Sequence, residues 1–437
     1  MCTVQSPTQN LIRKSDTMKI LGQDVSVLYN QVAALVLNVK SWFIFTYVPA
    51  WLRPQPPMLP PPGAERCVVI VGPGGMDQLQ VVDLKHRATV GYNVPPFKSP
   101  FVNRDALDTC EDPTLVLVKV THFSINYADV CIRWGLYESS LRYVGWPIVP
   151  GFDFSGVVVW AGSQSGFCKK DKVFGFSLFG AYSSQLLVPA RQLRKTPGSI
   201  SQAIAAGIPA VAATALHAVS LAGGWPAEIK TSCRAALIHS AAGGVGSMLI
   251  QMCKIRGYSP IVAVVGSAHK VEYCLRIGAD HVIDKSIEDL WTRAELLSPG
   301  GYNAVFDANG VETLAQSLAH TALCGRLIIY GFHSNIPKAK AFIDPFEWLR
   351  VIVKMAQMPK FDPMAMVLES KTIAGFNLSF FSSEHELIAQ YMEQIIAWID
   401  QGAITLPDPQ IFAMEDIHKA HELIQSGKSV GKIVVSC

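Results

Sequence analysis

The chain has 437 residues, half of them apolar, and its 37 basic and 34 acidic side chains leave a net charge of +3. That length fits two or three domains with substantial cores, and the balance excludes a basic footprint for a nucleic-acid backbone or the composition of a disordered chain. The ten cysteines stand singly with no C-x-x-C pair, which implies reduced core thiols in a cytoplasmic setting, not a disulfide framework or structural zinc.

Residues 1–24 are polar and mixed in charge. Over 25–51, Leu28, Val32, Leu35, Val39 and Trp42 recur at helical spacing, with Asn30, Gln31, Asn38 and Ser41 on the opposite side, the period of an amphipathic helix. Asn38 and Lys40 fall near its middle and no apolar run reaches 18 residues, so the segment suits a membrane interface better than a span. Trp42, Tyr47 and Trp51 fit headgroup depth. Docking of the same helix onto the enzyme body or a partner subunit stays open, as does organelle targeting, although Asp16 and Asp24 count against a transit peptide. A stiff proline-rich linker, 54–63, completes an N-terminal extension over 1–63.

Short β-type runs at 67–71, 79–82, 115–120, 157–159 and 182–188, separated by turn signals, predict an irregular β-barrel-like domain over 64–220. The run Gly72-Pro73-Gly74-Gly75 lies between two of them with no helix behind it, the pattern of a hairpin turn. Residues 86–113 hold Pro95-Pro96 and several charges and are expected to form an inserted surface loop.

The strongest chemical signal follows at 235–256. An apolar run (235–238) leads into Ala241-Ala242-Gly243-Gly244-Val245-Gly246 and then a helical pattern. Small residues let such a turn approach a pyrophosphate, and the helix N-terminus offers free N–H groups and a positive dipole end. Further strands at 261–265, 281–283, 304–306 and 327–330 alternate with helices, which predicts a doubly wound parallel sheet of Rossmann type over 221–346. NAD sites place a carboxylate at the end of the second strand. Here Val265-Gly266-Ser267-Ala268-His269-Lys270 has none. Ser267 and Lys270 suit the 2′-phosphate of NADPH, although Lys270 is equally placed to be a solvated helix residue. Gly331 and Phe332 follow the strand at 327–330 and fall at its carboxyl end, where ligands bind in such sheets.

Three segments together, Asn126-Tyr127-Ala128-Asp129…Arg133-Trp134-Gly135-Leu136-Tyr137, Pro150-Gly151-Phe152-Asp153-Phe154-Ser155-Gly156 and the Gly-rich turn, resemble the medium-chain dehydrogenase/reductase superfamily and its zinc-independent quinone oxidoreductase (zeta-crystallin-like) group. Residues 360–363, 371–378 and 430–435 resemble, within that group, the branch of the synaptic vesicle membrane protein. The resemblance covers about 64–437. It implies a GroES-like catalytic domain beside the Rossmann-type unit, completed by 347–437, and a homodimer. It also implies that Asn126 and Tyr137 stand beside nicotinamide and substrate, that Thr214 marks the nicotinamide end of the crevice, and that Lys285 supplements Lys270 at the phosphate. Each of Asn126, Tyr137 and Thr214 is also a residue type that serves as a satisfied buried or helix-packing group. Zinc relatives carry Cys where this chain has Asn126, and Gly-His-Glu where it has Gly151-Phe152-Asp153, so no metal is expected. Cys131 stands where some relatives carry tyrosine. The longer segment 342–366 suits either a cleft cover or a subunit contact.

Together these features predict NADPH-dependent reduction of a quinone or α,β-unsaturated carbonyl without metal assistance. Two alternatives stand beside it: an NADPH-binding, membrane-associated adaptor with little turnover, touching the membrane through residues 25–52, and a zinc-free enoyl-thioester reductase.

Overall fold

The structure, a computed structural model, describes residues 64–92, 100–107, 110, 112–223, 234–337, 344–381 and 384–437, with the backbone of 19–20 and 23–24. The expected amphipathic helix at 25–51 and the proline-rich linker lie outside the described residues.

The chain first builds a β-rich unit. Strands β1 (Arg66–Ile70) and β2 (Leu79–Asp83) pair antiparallel, so the glycine run at 72–75 sits in a hairpin connection. Next, β3 (Arg87–Val90) and β4 (Phe101–Asn103) also pair antiparallel. This corrects the surface loop expected over 86–113, whose flanks form a ribbon. The cause is apolar burial: Ala88, Val90, Val102 and Leu107 pack against Leu115, Leu117 and Leu187.

The spine of this unit is β5 (Leu115–Ile125). Its alternation sends Val116, Val118 and Val120 into the main barrel core and Leu115 and Leu117 under the ribbon. Helices α1 (Tyr127–Arg133) and α2 (Glu138–Tyr143) follow, then β6 (Asp153–Ala161), β7 (Lys172–Phe176), β8 (Gln185–Pro189) and β9 (Leu193–Lys195). These strands run in the order β9-β7-β6-β5-β8-β3-β4.

After α3 (Gln202–Ala206) and α4 (Pro209–Ala222) the chain enters a parallel sheet. Its parts are β10 (Ala236–Ile238), α5 (Gly244–Ile255), β11 (Ile261–Val265), α6 (Val271–Arg276), β12 (His281–Asp284), α7 (Leu290–Leu297), β13 (Tyr302–Asp307), α8 (Leu314–Ala319) and β14 (Thr321–Ile329). Then come α9 (Pro345–Ala356), α10 (Pro363–Leu368), β15 (Thr372–Gly375) and α11 (His385–Asp400). The six strands are parallel throughout, in the order β12-β11-β10-β13-β14-β15. Both faces are covered, which is why the strands are continuously apolar. Ala236, Ile238 and Ala263 face α4, α5 and α11, while Leu237, Val262 and Val264 face Leu290, Ala294 and Leu314.

Residues 347–437 do not act as one segment completing the catalytic domain. β15 is the sixth strand of the parallel sheet, and Met392, Ile395 and Trp398 of α11 join the core beneath α4. What returns to the barrel is β16 (Gln410–Ala413), α12 (Ile417–Gln425) and β17 (Ile433–Ser436), with β17 antiparallel to the end of β5. Helix α9 anchors on the barrel side through Trp348, edge-on to Trp134 at 6.3 Å. Its Phe346, Leu349 and Ile352 are exposed, as are Met364, Val367 and Leu368 of α10.

Helix α5 approaches the Gly-rich turn so closely that a Cβ on Gly246 would lie 2.5 Å from the Ser240 carbonyl oxygen and 2.6 Å from Ala241 Cα. Backbone there cannot yield as a side chain would. Gly246→Ala is expected to cost about 1–3 kcal/mol, seen as a lower thermal unfolding midpoint.

Candidate active site

The strand order reverses between β10 and β13, the position at which open parallel sheets bind ligands beyond their carboxyl ends. The Gly-rich turn lies there. Ser240, at φ 52°, turns the chain off β10, and its Oγ donates to Asn309 Oδ1 at 3.0 Å. Ala242 is buried, while Gly243, Gly244 and Val245 are half-buried. Gly243 caps α5 without a side-chain hydrogen bond, which leaves the positive end of that helix to another partner. A Cβ on Gly244 would meet Val211 Cγ1 and Lys432 Cδ at 2.9 Å each. The turn therefore fits a pyrophosphate, provided its glycines are kept.

At the end of β11 stand Gly266 and Ser267, with no carboxylate. Lys270 Nζ donates to the Gly427 carbonyl, and a ring nitrogen of His269 lies 3.2 Å from the Lys428 carbonyl oxygen. Burial pushes the Lys270 ammonium below its usual range, and the charge of Lys285 adds to this. Lys285 itself is exposed, and its Cε would lie 3.7 Å from a Cβ on Gly266. Two cations thus flank a neutral strand end, a donor set that fits a 2′-phosphate. Asp284, at the end of β12, is buried and accepts from the Ser286 N–H and hydroxyl.

The opposing wall comes from the barrel. Asn126 precedes α1, and its carboxamide is occupied at both ends. Oδ1 accepts from Lys432 Nζ at 2.8 Å, while Nδ2 donates to Asp153 Oδ2 at 3.1 Å and Ser124 Oγ at 3.3 Å. It acts as an internal strut. Asp129, one helical turn on, accepts from the N–H groups of Asn126 and Gly151, and burial pushes its carboxyl up to about 7.

Tyr137 donates its hydroxyl hydrogen to Asn377 Oδ1 at 3.1 Å, and its ring stands edge-on to Phe152 at 6.1 Å. Burial pushes the phenol up to about 12, so it keeps its proton. Phe152 is buried between Phe176 and Phe179. Cys131 also has its thiol pushed up to about 12 by burial, which makes it a poor nucleophile. A solvent-open cleft is lined by Tyr92, Phe176, Leu378 and Phe381 together with Arg191 and Arg194; Tyr137 itself is not in its lining, although Leu378 follows its partner Asn377.

The remaining expected positions separate. Thr214 is half-buried on α4, the helix whose Val211 meets the Gly-rich turn. Gly331 lies against Ala308, with 3.0 Å between a notional Cβ and the Ala308 carbonyl oxygen. Phe332 is 45% exposed. Lys432 and Asn377 were missed as contacts of the site. The only sequence trace of Lys432 is a charge inside the apolar closing run 430–435.

Comparison with known proteins agrees with this architecture. Residues 112–198 match the alcohol dehydrogenase GroES-like domain, and residues 244–390 match the family described as zinc-binding dehydrogenase. The chain belongs to the medium-chain dehydrogenase/reductase superfamily, and within it resembles the quinone oxidoreductase-like group and the synaptic vesicle membrane protein branch. It is 25% identical to the mouse synaptic vesicle membrane protein VAT-1 homolog, over 85% of this chain and 83% of that protein. It is 26% identical to mouse quinone oxidoreductase-like protein 2, over 78% and 89%. The crystal structure of Escherichia coli quinone oxidoreductase complexed with NADPH has the same fold, with TM-score 0.67, 22% identity and coverage of 85% and 100%.

The zinc in that family description does not fit the residues present. Phe152 has no donor atom, and the Asn126 amide is a weak ligand already engaged on both sides. Dialysis against a chelator is expected to leave the thermal midpoint unchanged, with zinc far below one per chain by elemental analysis.

His333, whose ring lies 4.1 Å from that of Tyr127 at a tilt of 45°, has its pKa lowered to about 4, chiefly by burial. The unfolded chain takes up this proton near 6.5 and the folded chain only near 4, so the associated stability is present above 6.5 and lost as pH falls towards 4. The thermal midpoint should drop between pH 7 and pH 5, and His333→Gln should reduce that drop.

Proposed function

We propose that the chain is an NADPH-dependent, zinc-independent reductase of a quinone or α,β-unsaturated carbonyl. The observation that carries this reading is the Gly-rich turn at the sheet's switch point with Lys270 and Lys285, instead of a carboxylate, at the next strand end. The names of the relatives support the same chemistry.

NADPH, when bound, supplies the hydride. The chain's own residues do the rest. The N–H groups of the turn and the start of α5 would hold the pyrophosphate, and Ser267, Lys270 and Lys285 would hold the 2′-phosphate, with Lys270 exchanging the Gly427 carbonyl for the anion. Gly331 and Thr214 would border the nicotinamide end. Tyr92, Phe176 and Phe381 in the cleft would offer flat faces to an acceptor. Tyr137, protonated at neutral pH, would turn its hydroxyl hydrogen from Asn377 to the acceptor oxygen as charge develops there. Asn126 serves this step by position, not by contact. The exposed apolar faces of α9 and α10 support a homodimer, and the pattern at 25–52 supports peripheral membrane contact.

The test is NADPH and NADH oxidation by the full chain against quinones, enones and enoyl thioesters. Wild type should prefer NADPH and a quinone or enone. Lys270→Ala should lose the coenzyme preference, and Tyr137→Phe should lower kcat by roughly 10- to 100-fold. Tight NADPH binding with no oxidation by any acceptor would favour the adaptor, and turnover confined to enoyl thioesters would favour that reductase.

A further inference from the structure

Lys432 stands just before β17, with 12% of its side chain exposed. Its stem crosses the Gly-rich turn, because a Cβ on Gly244 would meet Lys432 Cδ at 2.9 Å and one on Gly207 would meet its Cβ and Cγ at 3.4 Å. The backbone beside it is joined to the same turn, since the Gly431 N–H donates to the Ala242 carbonyl at 2.8 Å. At its far end the ammonium donates to Asn126 Oδ1 at 2.8 Å and the Ile125 carbonyl at 3.2 Å, and it lies 3.8 Å from Asp153 Oδ2.

The groups it meets have no freedom of their own. Asp153 is fully buried; its Oδ1 accepts from the Ala210 N–H at 2.8 Å, and its Oδ2 accepts from Ser124 and Asn126. Asp129, also fully buried, holds the Asn126 and Gly151 N–H groups. Asn126 begins α1, the helix that leads to Tyr137. One side chain therefore reaches from the cofactor turn to the residue that sets the start of the catalytic wall.

We propose that Lys432 is a positioning residue: its ammonium fixes the Asn126 carboxamide while its stem lies on the Gly-rich turn, so that turn and wall hold one register. This rests on the reductase reading. A role through Asn126 differs from simple charge compensation of Asp153. In the first case the Asn126 geometry matters, and in the second only the charge balance does.

The experiment is a double-mutant cycle in the full chain, read in NADPH-dependent quinone reduction, with thermal unfolding as the check on folding. Lys432→Met keeps the stem and should lower kcat at least tenfold, with the KM for NADPH changed less than threefold. Asn126→Ala should give a similar loss, and the Lys432→Met/Asn126→Ala pair should be no worse than either alone. Lys432→Met/Asp153→Asn removes the charge imbalance, so its thermal midpoint should recover while kcat stays low. Additive losses in the first pair, recovery of kcat together with the midpoint in the second, or an unchanged kcat in Lys432→Met would each overturn the proposal. If wild type binds NADPH but reduces no acceptor, the reductase reading fails and the same cycle is read in the fluorescence of bound NADPH. Equal, non-additive losses there sustain the positioning role, and additive or absent losses overturn it. Absence of NADPH binding overturns both.

Discussion

The crossing of the returning C-terminal strand over the Gly-rich turn holds the two halves of this protein in one arrangement. The Gly431 N–H bonds the Ala242 carbonyl, the Lys432 stem packs on Gly244, and its ammonium enters the barrel floor. The close approach depends on Gly244, the position on the turn that faces the lysine stem. A Cβ on Gly244 would displace the lysine, so the glycine serves the interface between halves as well as the cofactor turn.

Beneath that crossing, two fully buried carboxylates share one buried cation. Burying charge is expensive, and removing one member of such a set typically costs about 3–5 kcal/mol because the others remain uncompensated. Here every carboxylate oxygen has a partner: backbone N–H groups for Asp129 and for one oxygen of Asp153, side chains for the other. Satisfaction of this kind makes a buried network rigid instead of merely costly. A rigid floor suits a site whose wall ends in one donor hydroxyl.

The site's chemistry is set as much by what surrounds Tyr137 as by the phenol itself. Phe152, Phe176 and Phe179 form an apolar layer behind it. The same burial that raises its pKa keeps the hydroxyl protonated, with its hydrogen on Asn377 Oδ1. Phe152 has no donor atom, so this layer offers a metal no ligand at that position.

Much of the architecture was legible in order. The alternation of apolar runs with helical patterns from 235 to 330 specified a parallel sheet, because strands buried on both faces must be continuously apolar. The Gly-rich turn and the acid-free end of the next strand were legible for the same local reason: steric room and charge are properties of a few adjacent residues. The ribbon at 86–103 was not, because short alternation interrupted by prolines resembles a loop until Leu115 and Leu117 are seen to need cover. Nor could the sequence show that 372–375 joins the parallel sheet, since strand pairing is decided by which edge is open. The sequence by itself determined the fold class and the cofactor turn, both of which depend on near neighbours along the chain. The tertiary structure alone decided that Asn126 is an engaged strut, that Tyr137 meets Asn377, and that Lys432 reaches Asn126 across 306 positions of the chain. Hydrogen bonds and buried charge are settled by contact in space, and spacing along the chain carries no record of it.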